Sequence, residues 1–379
     1  MAWSSVSDNS LAAFGDAAAI RCERAVAEMR TGRPIVLTSP DAALVALPLD
    51  GTTRQAYQAF AQASGGGHQL YVTRFRAEAI GLDAPDGALF QLGEASLTDA
   101  QRLGYQRGPL PVTPWTAATP LAAAAGQVAR LGLLLPALLT AEAARDQDFG
   151  DLTELAMDDL EIGLAAAERA FQIVARTRVP LRRVGDAEFV VFRGGLAQRD
   201  QIAVVIGDPD PSQVVPVRVH SACLTGDLFG SLKCDCGDQL KNSLDVLHAR
   251  GGGVLLYLDQ EGRGTGIAAK MRAYGYQHEG MDTVDADAML GFGLDERRYA
   301  SATAMLQKLG FSRIDLLTNN PSKVAHLRAS GMEVVGRVEL TGSVTADNEG
   351  YLRTKAARAG HLLDIDLLKA GKSSIGRRA

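Results

Sequence analysis

Three of the chain's four cysteines, Cys223, Cys234 and Cys236, stand in one short stretch, RVHSACLTGDLFGSLKCDCGDQL, and any fold has to satisfy their thiols. Cys234 and Cys236 are two apart, too close for an unstrained mutual disulfide, yet two thiolates at that spacing can share one soft cation. Zinc is the first expectation. Three protein ligands with an open position leave room for a water that the metal acidifies, whereas a fourth ligand from His220, Asp227 or Asp235 would close a structural site. Spacing does not separate the two. Cys22, far off in a helical pattern, reads as a buried free thiol.

The chain has 379 residues, 46% hydrophobic and 22% charged, which is globular and long enough for two domains. Its N-terminus lacks a basic region and carries Asp8 and Asp16, so it does not read as a secretion signal. The longest apolar run, LGLLLPALL, contains Pro136 and is too short to span a bilayer. A cytoplasmic protein with reduced thiols and no membrane partner is expected, which favours metal over a disulfide framework. Residues 1–187 hold 16 Arg, no Lys and 21 acidic residues, and the remainder holds 23 basic and 23 acidic. Neither half is basic, so no nucleic-acid partner is expected. Lysine first occurs at Lys233, a composition shift suggesting two segments of separate origin, with domains at 1–175 and 176–379.

The first segment reads as Ala-rich helices, Ala17 to Met29 and Leu121 to Leu131, with strands PIVLTS and HQLYVTRF and a loop from Asp146 to Asp151. The second opens with strands EFVVFRG, QIAVVIGD, VVPVRVH and VLLYLD. Helices at 265–277, 296–309 and 322–330 then alternate with strands IDLLT and EVVGRVEL. A last helix covers about Tyr351 to Ala370, and the basic end KSSIGRRA reads as a solvated tail. The expected class is α+β (mixed α/β), with a mixed sheet in the second domain.

VLLYLD runs into QEGRGTGIAAK, a glycine-rich turn opening a helix, and bare helix amides suit phosphate. Gly262, Gly264 and Gly266 give G-x-G-x-G rather than the dinucleotide spacing, which argues against a Rossmann site. Glu261 could accept from a base and Arg263 pair with phosphate, or both could form an exposed loop ion pair. In LTNNPSKV, Pro321 suits a first helical turn that Asn319 or Asn320 would cap, while Thr318 and Lys323 set a hydroxyl and an ammonium beside helix amides. Asp295 reads as a helix N-cap, and Arg297, two residues on, could act with it only from an irregular first turn. Tyr274 either packs or serves acid–base chemistry beside a metal.

These blocks, with DTVDADAMLGFGLDER and NEGYLRTKAARAGHLL, closely resemble GTP cyclohydrolase II over about residues 180–365, in family order and with family-like gaps. The resemblance implies opening of the guanine imidazole ring of GTP, with loss of formate and pyrophosphate, in riboflavin biosynthesis. It makes Cys223, Cys234 and Cys236 the ligands of one zinc per chain, with water in the fourth place. GTP would be held by Arg218, Val219, His220, Ser221, Gln239, Glu261, Gly262, Arg263, Thr283, Thr318 and Lys323. Asp295 matches the family's proton acceptor, Arg297 its nucleophile at the α-phosphate, and Tyr274 a further catalytic tyrosine. Guanidinium stays protonated in proteins, so stabilisation of phosphoryl charge by Arg297 is the alternative. Magnesium is expected on the triphosphate, and a homodimer as the assembly.

Ala222 departs from the pattern, since the family motif carries glutamate there; a divergent paralogue that binds GTP with altered or lost catalysis is therefore the alternative. The first segment faintly resembles 3,4-dihydroxy-2-butanone 4-phosphate synthase in CERAVAEMRTGRPIVL, FRAEAIGL and AAGQVARLGL. Where that synthase needs an acidic cluster, this chain reads TSPDAALVALPLDG, and His68 is the only histidine before His220. A degenerate domain without synthase activity is expected, acting as scaffold, dimerisation or regulatory element.

Overall fold

The computed structural model describes residues 15–167, 170–195 and 200–369; the N-terminal stretch and the tail KSSIGRRA lie outside them. The chain is mixed α/β, as expected, with two seven-stranded sheets that belong to two units.

The first unit takes the described residues up to Ala167 together with Met271–Gly275 and Asp285–Leu294. Its strands are β1 (Ile35–Thr38), β2 (Ala43–Pro48), β3 (Gln69–Val72), β4 (Ala88–Gln91), β5 (Trp115–Ala117), β6 (Ala137–Ala143) and β7 (Thr153–Ala156). They lie in the order β5-β4-β3-β6-β2-β1-β7, antiparallel except for β1 with β7. The Asp16 side chain caps helix Ala17–Arg30 by accepting from the Ala19 amide at 2.9 Å. That helix meets helix Met157–Ala167 at Gly163, where a Cβ would sit 2.7 Å from both Cys22 Sγ and the Ala18 carbonyl oxygen. Cys22 is a fully buried free thiol, as expected, and burial pushes its pKa up to about 11.

Two segments from the second half of the chain join this unit through specific polar contacts. The fully buried Arg76 donates to the carbonyls of Arg102, Leu103 (2.8 Å), Gln106 (2.9 Å) and Met289 (3.1 Å). Thr73 Oγ1 donates to the Gly291 carbonyl at 2.7 Å, and Arg272 pairs with Asp50 at 2.7 Å.

The second unit holds β8 (Phe171–Leu181), β9 (Gly185–Gly194), β10 (Gln201–Gly207), β11 (Val215–Ser221), β12 (Gly252–Leu258), β13 (Arg313–Leu317) and β14 (Glu333–Val338). Their order is β14-β13-β11-β12-β10-β9-β8: four parallel strands continued by three antiparallel ones. Side-chain alternation splits β12 between two cores. Val254, Leu256 and Leu258 pack with Met305 and Leu306 of helix Ala300–Lys308, and Leu255 packs with Leu247 of helix Cys236–Ala249. Each such buried side chain contributes about 1.5–3 kcal/mol.

Three expectations need correction. β8 runs through the predicted interdomain boundary; it is an edge strand whose exposed Arg176, Arg178 and Pro180 erase the apolar alternation that reveals a strand. Asp295 is not a helix cap, because the helix starts only at Ala300. The last helix stops at Arg358, since Gly360 turns the chain at φ +65° and the Leu362 amide donates to the Asn319 carbonyl at 2.8 Å; a short helix, Ile365–Lys369, follows.

Arg76→Met should leave four backbone carbonyls without their donor and cost about 4 kcal/mol, at roughly 1 kcal/mol for each unsatisfied group. The readout is a lowered urea midpoint of the full-length protein, and an unchanged midpoint would contradict this assignment.

Candidate active site

β12, β11 and β13 run parallel and adjacent, so their carboxyl ends share one edge of the sheet, the usual place for a ligand site in such sheets. Cys223 follows β11, the Glu261–Gly264 turn follows β12, and Thr318–Asn320 follow β13. Short connections at these ends bring together residues far apart in sequence.

The three cysteine sulfurs lie within 4.8 Å of one another, with Cys223 and Cys234 3.6 Å apart. Close backbone approach makes this possible. A Cβ at Gly226, in the wide turn Leu224–Leu228, would lie 2.9 Å from Cys234 Sγ and 3.0 Å from Cys223 Sγ. At Gly237 it would lie 2.4 Å from the Gly226 carbonyl oxygen. Among the described residues no histidine or carboxylate joins the cluster. Hydrogen bonds from Cys234 and Cys236, with the Lys270 ammonium beside it, hold Cys223 well below the usual thiol range; Cys234 and Cys236 are pushed up by their bonds to Cys223 and by burial. A buried set of three soft sulfurs with no oxygen donor fits zinc.

The three candidates for a fourth ligand are used elsewhere. Asp227 accepts from the Cys223 amide (3.0 Å), from the Tyr257 hydroxyl (2.9 Å) and from His220 Nε2 (3.1 Å). Burial lowers the His220 pKa, so the ring is neutral, stacked on Tyr257, with Nδ1 left to accept from Arg218 at 3.4 Å. Asp235 accepts from Gln239 Nε2 at 2.6 Å and pairs with Lys355 at 3.5 Å. His220 and Asp227 thus brace the Cys223 backbone, and Asp235 ties the segment between Cys234 and Cys236 to helix Glu349–Arg358.

Beside the thiols stands a group of cations. Arg218 donates to Gln239 Oε1 at 2.8 Å and to the Leu317 carbonyl at 3.0 Å, and burial pulls its pKa down to about 10. Lys323 is buried with its ammonium 2.8 Å from the Val219 carbonyl oxygen; burial first, then Arg218 and Arg297, drive its pKa well below the usual lysine range. Lys323 Nζ and Arg297 Cζ lie 5.2 and 5.5 Å from the Tyr299 ring centroid. Asp295 and Arg297 occupy the irregular turn before helix Ala300–Lys308 and form a two-point pair at 2.8 and 2.6 Å. Burial opposes the Arg297 charge, but the Tyr299 phenol and the Asp295 carboxylate outweigh it and raise its pKa.

The remaining expected residues sit as follows. Gly262 and Arg263 adopt φ +63° and +61° in the turn after β12, a conformation seldom taken by arginine, and the Arg263 carbonyl accepts from the Glu296 amide at 3.1 Å. Glu261 is engaged inside the protein, by the Leu224 amide (2.6 Å), the Gly262 amide (3.0 Å) and Lys270 (2.8 Å). The Ser221 hydroxyl is buried with no hydrogen-bond partner. Thr318 Oγ1 accepts from the Asn320 amide, and the Asn320 side chain caps helix Pro321–Ala329 through the Ser322 amide. Thr283 accepts from Gln277 at 3.3 Å and makes no direct hydrogen bond to the cluster. Tyr274 lies one turn beyond Lys270 on helix Ile267–His278, in the part of that helix belonging to the first unit.

Lys270, Tyr257, Tyr299 and Lys355 were not foreseen from the sequence. Lys270 carried a usable signal, because an ammonium in a helix's first turn opposes the helix dipole and has to be held there by something else.

Comparison with known proteins identifies the family. The GTP cyclohydrolase II family profile matches residues 172–339. A GTP cyclohydrolase-2 of Xylella fastidiosa strain Temecula1 is 55% identical over 94% of this chain and 90% of its own length. One from Azospirillum brasilense is 37% identical over 92% and 95%. A riboflavin biosynthesis protein RibBA of Bacillus cytotoxicus is 46% identical over 48% of this chain and 46% of its own. A crystal structure of a two-domain 3,4-dihydroxy-2-butanone 4-phosphate synthase from A. baumannii aligns with 83% of the chain at 16% identity and TM-score 0.31, too low to carry an argument about either unit. Relatives of 55% and 37% identity, matched along nearly their whole length, place this chain in the GTP cyclohydrolase II family.

Proposed function

We propose that this chain is a zinc-dependent GTP cyclohydrolase II, which opens the guanine imidazole ring of GTP and releases formate and pyrophosphate. The product is 2,5-diamino-6-(ribosylamino)pyrimidinone 5'-phosphate, for riboflavin biosynthesis. The observation that carries this reading is the convergence of Cys223, Cys234 and Cys236, without a fourth protein ligand among the described residues, beside a buried cationic group. Zinc held by the three thiolates supplies a Lewis acid with an open position, which brings water toward ionisation near neutral pH.

The protein's own residues do the rest. Releasing carbon 8 as formate consumes two waters, and releasing pyrophosphate consumes one. Arg218, Arg297 and Lys323 present cations to the triphosphate, which arrives as its magnesium complex. Burial chiefly depresses Lys323, and binding this polyanion offsets the repulsion from Arg218 and Arg297 that adds to it. Asp295 accepts a proton, and its pairing with Arg297 outweighs burial to keep it ionised. The same pairing raises the Arg297 pKa, so the guanidinium stays protonated and stabilises charge at the α-phosphate while water attacks. Tyr274 belongs to the catalytic set, and the enzyme works as a cytoplasmic homodimer.

The first unit is a scaffold without synthase chemistry. Among the described residues the three cysteines are the sole gathered metal-ligand group, and Asp50 is committed to Arg272 and to the Leu135 amide.

Zinc-replete protein given GTP and magnesium should release formate and pyrophosphate in equal amounts, lose both on chelation and regain them with zinc. Pyrophosphate without formate would instead identify the divergent paralogue marked by Ala222. Arg297→Met should lower kcat by about 100-fold or more, the scale of losing one preorganised charge stabiliser, with Arg297→Lys losing less; equal kcat in both variants and the parent would remove Arg297 from the chemistry. Full-length protein should not consume ribulose 5-phosphate, and measured turnover of it would overturn the scaffold assignment.

A further inference from the structure

Lys270 lies in the first turn of helix Ile267–His278, with its side chain largely buried. Its ammonium stands 3.2 Å from Cys223 Sγ, 2.9 Å from Thr225 Oγ1 and 2.8 Å from Glu261 Oε1. An ammonium has three N–H donors, and these three acceptors can take all of them. Glu261 reaches the same turn from its other oxygen, where Oε2 accepts from the Leu224 amide at 2.6 Å. The ion pair therefore clasps the Cys223–Thr225 turn at a sulfur, a hydroxyl and a backbone amide.

We propose that Lys270 is a positioning residue of the metal centre: its ammonium compensates the Cys223 thiolate and, locked to Glu261, sets the direction in which that sulfur faces zinc. The proposal rests on the metal reading above and goes beyond it, because the zinc ligands alone do not need a lysine. Three thiolates around a divalent cation carry a net negative charge, and buried charge is costly without a countercharge. An N–H⁺ bond to a thiolate also withdraws electron density from the sulfur, which then donates less to the metal and leaves it a stronger Lewis acid. A role in holding phosphate would need a donor that is free, and Lys270 spends its donors inside the protein. Asp227 holds the Cys223 amide at 3.0 Å, so the backbone is braced independently and Lys270 acts on the sulfur.

The test uses full-length protein and zinc alone, followed by competition with a chelator, and in parallel cobalt loading to record the sulfur-to-metal charge-transfer band. Lys270→Met should weaken zinc retention about 10- to 100-fold, the usual scale for losing a partner of a metal ligand. Its cobalt band should move to lower energy, because an uncompensated thiolate gives up electrons more easily. Lys270→Arg should restore most of the zinc retention, and kcat for GTP should fall in Lys270→Met with KM little changed. Should Lys270→Met not fold, Lys270→Gln, which keeps hydrogen bonding without charge, makes the same comparison. Parent protein holding one zinc beside a neutral variant of unchanged retention and unchanged cobalt spectrum overturns the Lys270 proposal alone. Parent protein that takes up no zinc overturns the metal reading and this proposal with it.

Discussion

Three sulfurs cannot occupy one small buried volume unless the backbone approaches closely and positive charge stands near, and the second unit is arranged around that constraint. Gly226 and Gly237 bring two turns together where any Cβ would collide with a sulfur or a carbonyl. The parallel strands β11 and β12 deliver Cys223 and Glu261 to the same edge of the sheet. Two sets of polar groups then brace the turns that carry the thiols. Asp227, His220 and Tyr257 hold the Cys223 backbone, while Asp235, Gln239 and Lys355 hold the segment that carries the other two thiols. Hydrogen bonding commits these residues before any ligand arrives, so the thiols are preorganised rather than gathered by the metal.

The cationic group beside the thiols follows a different logic. Arg218 and Lys323 are buried and donate to backbone carbonyls, an arrangement that satisfies hydrogen bonds but leaves charge uncompensated. Among the described residues, only Arg297 of the three has a carboxylate within ion-pair distance, from Asp295. Burial above all, and then the neighbouring Arg218 and Arg297 charges, depress the pKa of Lys323. In the proposed function the triphosphate is the countercharge these groups await.

The parts of this arrangement legible in the sequence were those written locally. The cysteine spacing announced a metal site, alternating apolar residues located β10 to β14, and Pro321 with Asn320 marked a helix start. What escaped notice was non-local. Tyr257 and Lys270 matter because β12 and the following turn bring them to Cys223, which no spacing rule states. β8 escaped because an exposed edge strand has no apolar face. His220 had been weighed as a possible ligand by residue type, whereas its neutral ring stacks on Tyr257 and braces Asp227.

Ala222 can be placed on the same electrostatic ground. Its amide donates to the Leu258 carbonyl at 2.8 Å, so the backbone there continues the β11–β12 pairing whatever the side chain. A glutamate at this position would add a second carboxylate, besides Glu261, immediately before Cys223. Lys270 spends its donors on Cys223, Thr225 and Glu261, so that second carboxylate would have to draw its compensation from water, metal or substrate. With alanine no such demand arises, and Lys270 stays shared between the Cys223 sulfur and Glu261. The backbone pairing there is thus independent of the substitution, and within the proposed function its consequence falls on the chemistry rather than on the strand that carries Cys223.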